Sequence, residues 1–202
     1  MNRSGQHTLF DDGPTPGLPE GFEYRAEFMS HAEEQLLLQH IAQLPLQEAS
    51  YHQWTARRRI VSYGGRYDFS AQRLDAAEPI PRFLYPLRER LAEWIGVSAA
   101  EFGHGVIAEY RPGTQLGWHR DVPEFEIVAG VSLAGAARMR FRPYPPAAGV
   151  ARATCAQDLL PRSAYVLRGK ARWGWQHAIS PTRELRYSIT LRTCSTRGVP
   201  AK

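Results

Sequence analysis

The sequence predicts a mainly β domain with helices at its N-terminal end, in the form of a small antiparallel barrel or jelly roll carried on two α-helices. Three observations indicate this class. The 202 residues suit a single domain. Two amphipathic helical patterns occur before residue 100, and short runs of β-branched and aromatic residues follow after it. Hydrophobic residues make up 43% of the chain, which is enough to close a sizeable core.

The N-terminal segment is predicted to form a tail followed by a capped helix. Residues 1–22 are polar and rich in Gly and Pro, so they are expected to be flexible, with a single domain over residues 23–202. Ser30 and Glu33 have the spacing of a capping box, in which each side chain satisfies a free backbone N–H group of the other residue. The apolar face of the helix that follows is predicted to contain Leu36, Leu37, Ile41 and Leu44.

A hairpin and a second helix are predicted next. Trp54–Phe69 combines β-branched and aromatic residues with the pair Gly64-Gly65, which is typical of two strands joined by a turn. Apolar residues at helical spacing predict a helix over residues 82–94. Pro86 then lies in its first turn, where a missing N–H matters least.

The second half of the chain is predicted to consist of short strands. Turn residues such as RPG, YPP and SPTRE separate apolar and aromatic runs. These runs read GVIAEY, EIVAGVSLA, RMRFRP, SAYVLR, WGWQHAI and LRYSITLRT. Close spacing of this kind indicates an antiparallel barrel or jelly roll.

Composition favours a nucleic-acid partner. Lys and Arg number 25 against 20 Asp and Glu, and only Lys170 and Lys202 are lysines, so arginine dominates the net charge of +5. Arginine suits phosphate contacts and stacking on bases. The only cysteines are Cys155 and Cys194, and the N-terminus has no hydrophobic signal core, so a cytoplasmic location is expected. No apolar run approaches the roughly 18 residues that span a bilayer, so no membrane partner is expected.

Three residues are candidate metal ligands. His119 and Asp121 are two residues apart and would share one side of a strand, and His177 follows in a separate run. Two histidines and one carboxylate that leave open coordination positions are typical of non-haem Fe(II) oxygenases. A core histidine beside a surface aspartate is the simpler alternative. Zinc is the rival metal, but the helical HExxH setting of many hydrolytic zinc sites is absent from the sequence.

The strand predicted over residues 186–192 has one polar face. Alternation places Arg186, Ser188, Thr190 and Arg192 on that face. A surface strand with its polar face in water would give the same pattern. Two arginines flanking two hydroxyls also suit a dicarboxylate, because a guanidinium group grips a carboxylate with two parallel hydrogen bonds.

The order of these motifs resembles the AlkB family of Fe(II)/2-oxoglutarate dioxygenases. The match runs from Phe102 to Arg192, and the motifs in chain order are Tyr110-Arg-Pro-Gly, His119-Arg-Asp121, Val131-Ser-Leu133, His177 and Arg186-x-Ser188-x-Thr190-x-Arg192. The resemblance implies a double-stranded β-helix over residues 101–195, preceded by helices and a substrate-binding lid over residues 23–100. It also implies Fe(II), 2-oxoglutarate and O2.

The resemblance also implies a role for each motif residue. His119, Asp121 and His177 would hold iron. Tyr110 and the polar face of the last strand would bind 2-oxoglutarate, with Arg186 on its distal carboxylate and Arg192 near its metal-bound end. The family pattern has asparagines where this chain has Ala108 and Ser188. Each lost hydrogen bond costs ~1 kcal/mol of co-substrate affinity.

The activity implied by the resemblance is oxidative dealkylation of N-alkylated bases in DNA, with RNA as a second candidate polymer, releasing formaldehyde, succinate and CO2. The lid would contact phosphates and stack on bases, although aromatics in the core and arginines in water would give the same sequence. These candidates are Trp54, Arg57, Arg58, Arg59, Tyr63, Arg66 and Tyr67. Some relatives have an acidic reader of the exocyclic amine two residues after the metal aspartate. Here Pro123 takes that place and Glu124 follows it, which leaves the lesion open.

The sequence also allows other functions. The same chemistry suits a tRNA-base hydroxylase or demethylase, or a protein demethylase. The substitutions at Ala108 and Ser188 also allow a non-catalytic nucleic-acid-binding barrel. The stretch Gln6–Phe10 resembles peptides that dock on bacterial sliding clamps, but five residues match by chance easily. The protein is expected to be a monomer. Trp118 and Trp175, which lie close to the candidate metal ligands in the sequence, are expected to pack in the core.

Overall fold

The computed structural model describes residues 17–51, 54–68, 73–75, 78–145 and 154–195. Short 3₁₀ turns also occur at Arg82–Leu84 and Ala99–Glu101. The helices and strands are, in chain order, β1 (Phe22–Arg25), α1 (His31–Ile41), β2 (Gln47–Tyr51), β3 (Trp54–Tyr63), β4 (Arg66–Asp68), β5 (Arg73–Asp75), α2 (Tyr85–Ile95), β6 (Phe102–Tyr110), β7 (Leu116–His119), β8 (Phe125–Leu133), β9 (Ala137–Pro143), β10 (Cys155–Leu159), β11 (Ala164–Leu167), α3 (Gly169–Trp173), β12 (Trp175–Ile179) and β13 (Arg186–Cys194).

The eight strands β6–β13 form a double-stranded β-helix, which confirms the predicted fold. Four of them, in the order β11-β8-β13-β6, belong to a larger sheet, and the other four, in the order β10-β9-β12-β7, form a smaller sheet. The N-terminal strands widen the larger sheet, with β1 beside β11 and β3 and β2 beyond β6. The predicted catalytic core is therefore extended by strands that precede residue 101.

Two apolar clusters lie on opposite faces of the larger sheet. The cluster between the sheets contains Tyr110, Tyr165 and Phe141, all less than 9% exposed. On the other face the helices pack onto alternate residues of the same strands, such as Ile107 and Ile189, which are fully buried. One face of β6 and β13 is thereby anchored by helices, and the other is presented to the barrel interior.

The helices follow their sequence signals closely. Ser30 caps α1 in a complete capping box with Glu33. Leu37 and Ile41 face the core, but the predicted apolar face is corrected at two residues. Leu36 is 58% exposed, because the buried face of the helix begins at Glu34, and Leu44 packs against the core from beyond the end of α1. The second helix forms over Tyr85–Ile95, three residues after its predicted start because Arg82–Leu84 form a 3₁₀ turn, with Pro86 in its first turn and a left-handed Gly96 after its end. No helix in the described ranges has the length and apolar character to span a bilayer.

The hairpin predicted over Trp54–Phe69 is wrong. β3 pairs with β2 and β6 in the larger sheet, whereas β4 pairs with β5 in a separate two-stranded sheet. At the junction Gly64 has φ +75°, and a Cβ there would lie 1.9 Å from the carbonyl oxygen of Gly103. Glycine therefore lets the chain leave β3 while crossing closely over β6.

The predicted tail boundary after residue 22 also needs correction. Phe22 is buried and begins β1, which pairs with β11. The carbonyl groups of Glu20 and Gly21 accept hydrogen bonds from the backbone of Ala171 and Arg168. The chain is thus fixed to the barrel before residue 22. The predicted clamp peptide Gln6–Phe10 lies outside the described residues.

Candidate metal centre and co-substrate site

The three predicted metal ligands converge inside the barrel. His119 ends β7 and lies directly opposite His177 of β12, with ring centroids 4.2 Å apart. Asp121 lies two residues beyond the end of β7 in an irregular segment, so strand alternation alone does not bring its carboxylate to the same point. The candidate ligand atoms of the three residues all lie within 4.8 Å of one another.

The carboxylate of Asp121 suits a bound cation. Its Oδ1 accepts a hydrogen bond of 2.8 Å from Nε of Arg192, while the buried Oδ2 has no hydrogen-bond partner among the described residues. Burial raises the pKa of Asp121, but Arg192, followed by His177 and His119, outweighs it and holds this pKa well below its usual range. An ionised, unpartnered and buried oxygen is costly unless a metal ion satisfies it. The residues therefore fit the expected iron.

Both histidines are suited to coordination as neutral rings. Burial lowers the pKa of His177 to about 3 and also lowers the pKa of His119. Nδ1 of His119 lies 2.9 Å from the carbonyl oxygen of Gly117, an arrangement in which Nδ1–H donates and Nε2 keeps its lone pair. A backbone partner of this kind fixes the ring orientation of a metal-binding histidine.

Arg186 provides a buried cation on the inner face of β13. The residue is 1% exposed, and its Nε donates to the hydroxyl of Ser132 at 2.9 Å. Its guanidinium carbon lies 4.9 Å from the ring centroid of Tyr110. Nη1 is buried and has no partner among the described residues. A carboxylate ligand would satisfy that donor, so the site fits the distal carboxylate of 2-oxoglutarate.

The polar face of β13 points into the barrel. Ser188 and Thr190 are buried, as is Arg186, so the alternative of a surface strand with its polar face in water is wrong. Ser188 lies opposite Ala108 of β6, which places the two departures from the asparagine pattern side by side. Together they leave two small side chains where the family pattern has two amides.

Arg192 and His104 form a chain of hydrogen bonds to Asp121 that the sequence analysis missed. Arg192 bonds Asp121 through Nε, and its Nη1 lies 3.3 Å from Nδ1 of His104. Burial, followed by the charge of Arg192, lowers the pKa of His104 to about 3. The neutral ring accepts from Arg192 through Nδ1 and is also hydrogen-bonded to the backbone of Gly65. His104 shares its face of β6 with Tyr110, and strand alternation was the signal that could have found it.

Arg172 was also missed, and no local sequence pattern identifies it. This buried residue of α3 donates through Nη2 to the carbonyl groups of Val122 and Phe125, at 2.6 and 2.9 Å. It thereby holds the segment that follows Asp121. The contact joins residues about fifty positions apart, so only the folded chain reveals it.

The structure divides the predicted substrate-binding residues. Arg58 points toward the site, with Nη1 3.5 Å from the hydroxyl of Tyr110. Arg59 instead pairs with the buried Glu109 at 3.2 Å, on the helix side of the sheet. Tyr63 is 8% exposed within the helix-side core. The predicted phosphate contact of Arg59 and base stacking of Tyr63 are therefore corrected to structural roles.

The remaining predicted contacts have different outcomes. Oε2 of Glu124 is buried without a partner in the described part of the chain. Trp175 packs against the inner core, as predicted. Trp118 does not, because its ring is covered by arginines outside the smaller sheet. The side chains of Trp54, Arg57, Arg66 and Tyr67 lie outside what the structure describes.

The fold and the site together define a jelly-roll protein with two histidines and a carboxylate placed so that they could hold one metal ion. The model of the 2OG-Fe(II) oxygenase superfamily matches residues 22–193, and the chain belongs to this superfamily. Membership in this superfamily implies Fe(II), 2-oxoglutarate and O2, and the described residues contain a matching cluster of two histidines and a carboxylate.

Individual relatives confirm the resemblance to the AlkB family. The chain is 29% identical over 174 residues to the "Alkylated DNA repair protein ALKBH8 homolog" of Arabidopsis thaliana, covering 76% of this chain and 49% of that protein. It thus spans about half the length of this relative. The structure of OsALKBH1 has a TM-score of 0.63 at 14% identity and covers 87% of this chain and 99% of its own. A prolyl-4-hydroxylase of Pseudomonas putida has a TM-score of 0.57 at 15% identity, covering 86% and 92%. These two structures show the shared fold.

Proposed function

We propose that this chain removes alkyl groups oxidatively from nitrogen atoms of nucleic-acid bases, with DNA as its first candidate polymer. The observation that carries the chemistry is the pairing, inside one barrel, of a three-residue metal site with Arg186, whose buried Nη1 has no hydrogen-bond partner among the described residues. The basic, arginine-rich composition and the name of the Arabidopsis thaliana relative support a nucleic-acid substrate.

The protein's own task is to hold three partners in place. His119, Asp121 and His177 would bind Fe(II), which supplies the activation of O2 that no side chain provides. Arg186 would bind the distal carboxylate of 2-oxoglutarate, since one of its donors is buried and unused. Arg192 donates to Oδ1 of Asp121, which would leave Oδ2 available as the ligand atom for the metal. Tyr110 stacks beside Arg186 and limits its movement.

Two residues are suited to contact the substrate base. A base must leave its stack to reach the metal, which costs a few kcal/mol and less when it is damaged or single-stranded. Arg58 extends from β3 toward Tyr110, and its buried Nε has no partner in the described chain. Glu124, three residues after Asp121, offers the unpartnered Oε2 as an acceptor for an exocyclic amine. We assign both side chains to recognition of the flipped base.

The proposed reaction balances with one molecule of each co-substrate. One oxygen atom of O2 enters succinate as 2-oxoglutarate loses CO2. The other enters the carbon attached to the base nitrogen and forms an N-hydroxymethyl group. That group breaks its C–N bond, releasing formaldehyde and returning a proton to the nitrogen.

The test is turnover on N-methylated single-stranded DNA, duplex DNA and tRNA, with formaldehyde and succinate both measured. The expected result is equal amounts of the two products on DNA, with both lost in His119→Ala. Glu124→Gln serves as a comparison, because it should alter the preference among methylated bases and keep the 2-oxoglutarate dependence. Succinate without formaldehyde on every nucleic acid would instead favour hydroxylation or a protein substrate. No succinate at all would favour a non-catalytic barrel.

A further inference from the structure

The outer face of the smaller sheet carries side chains that the proposed active site does not use. Arg140 and Arg142 of β9 lie over the indole of Trp118 on β7, with guanidinium carbons 5.0 and 4.6 Å from the ring centroid. Arg120 lies over the ring of Tyr144 at 3.9 Å. These five residues are referred to below as the Trp118 patch.

The patch lies behind the candidate metal centre and reaches its rim. Phe141 belongs to the inner cluster and pairs with His177, so its two neighbours on β9 face outward by strand alternation. Arg120 directly follows His119 in the chain and is exposed. A polymer that leaves the active site over this rim therefore meets Arg120 first and the sheet face next.

The positive charge of the patch is not neutralised locally. None of its three guanidinium groups forms an ion pair with a carboxylate in the ranges that the structure describes. Arg138 lies on the same strand and face but pairs with Asp158 at 3.0 Å. An arginine stacked on a ring keeps the edge of its guanidinium group available for hydrogen bonds to an anion.

We propose that the Trp118 patch binds the sugar-phosphate backbone and bases of single-stranded nucleic acid beyond the target base; this inference rests on the proposed nucleic-acid substrate. Arginines supply phosphate contacts, and the ring of Tyr144, which is 40% exposed, supplies a surface on which a base can stack. Alternating cations and rings are what single-stranded sites combine. An acidic protein segment would use the charges and leave the rings without a role.

The experiment compares the full chain with two single variants that remove the same charge from β9. Arg142→Gln alters the patch, and Arg138→Gln alters a neighbour that has its own carboxylate partner. Binding of unmodified single-stranded DNA of about 4 and about 15 nucleotides is measured by fluorescence anisotropy over a range of salt concentrations. We expect Arg142→Gln to weaken binding of the longer strand about tenfold and to lower its salt slope by ~0.7, without effect on the shorter strand. Arg138→Gln should change the affinity less than threefold.

Each other outcome overturns the inference in a recognisable way. If Arg142→Gln and Arg138→Gln weaken binding of the longer strand equally, the effect is one of general surface charge and the patch is not a specific binding site. An equal loss on duplex DNA, or on an acidic peptide of matched charge, would show that single strands are not its ligand. Turnover of a short methylated strand is measured in parallel. If that turnover occurs and the longer strand binds both variants equally, the proposed function stands and the patch fails. If the length-dependent loss appears without any turnover, the patch stands and the proposed dealkylation fails.

Discussion

Replacement of Arg186 by methionine is expected to weaken 2-oxoglutarate binding without unfolding the protein. Arg186 is 1% exposed, and its buried Nη1 has no hydrogen-bond partner among the described residues. A buried ionic group that lacks its partner is often replaced by an apolar side chain at little cost in stability. The variant without co-substrate should therefore melt at or above the temperature of the wild-type protein.

The magnitude follows from the two hydrogen bonds that a bidentate contact would lose. A loss of about 3 kcal/mol corresponds to roughly 150-fold weaker binding. At a 2-oxoglutarate concentration 100 times the wild-type dissociation constant, the co-substrate stabilises the wild type by about 2.7 kcal/mol. The same concentration should stabilise Arg186→Met by only about 0.3 kcal/mol.

Thermal unfolding with and without 2-oxoglutarate measures this difference, and the KM for 2-oxoglutarate in succinate formation measures it independently. Ser132→Ala is the matched control, because it removes only the partner of Nε and should weaken binding about fivefold. Full stabilisation of Arg186→Met by 2-oxoglutarate, or a KM within threefold of the wild type, would refute the assignment of Arg186.

Three further predictions follow from the contacts around the site. Asp121→Asn should lower Fe(II) affinity at least tenfold in anaerobic titration, because it replaces the negatively charged carboxylate that Arg192 orients with a neutral amide. Burial lowers the pKa of His104 to about 3 in the folded state, so below pH 6.5 the unfolded state binds more protons than the folded state. The free energy of unfolding should therefore fall as the pH drops toward 3, by up to ~1.4 kcal/mol per pH unit. Urea unfolding without metal should show a weaker pH dependence for His104→Leu. Arg59→Ala should lower the free energy of unfolding by about 1–2 kcal/mol, because it leaves the buried Glu109 less well paired. The affinity for single-stranded DNA should not change. A loss of that affinity without a loss of stability would support the predicted phosphate contact of Arg59.

Much of the site could be predicted because its residues follow short-range rules. Alternation along β13 assigns Arg186, Ser188 and Thr190 to one face whether or not the strand is exposed, and the folded barrel shows that this face is internal. The spacing of His119, Asp121 and His177, in that order, indicated their convergence. The capping box at Ser30 was readable because both its partners lie within one helical turn.

The errors arise where long-range pairing decides. The segment around Gly64 resembles a local hairpin, but β3 pairs with β2 before it and with β6, whose paired residues lie 42 to 50 positions later in the chain. That pairing buries Tyr63 under the helices and commits Arg59 to Glu109. A sequence pattern shows which side chains share one face of a strand, but it does not show which other strand or helix packs on that face. The predicted lid residues were therefore harder to assign than the metal ligands.

The most direct measurement is a crystal structure of the protein grown anaerobically with Fe(II) and 2-oxoglutarate, with data collected at the iron absorption edge. The account predicts one anomalous peak within coordination distance of His119, Asp121 and His177, and density for the diacid whose distal carboxylate contacts Arg186. An iron peak elsewhere, or a diacid bound away from Arg186, would contradict it.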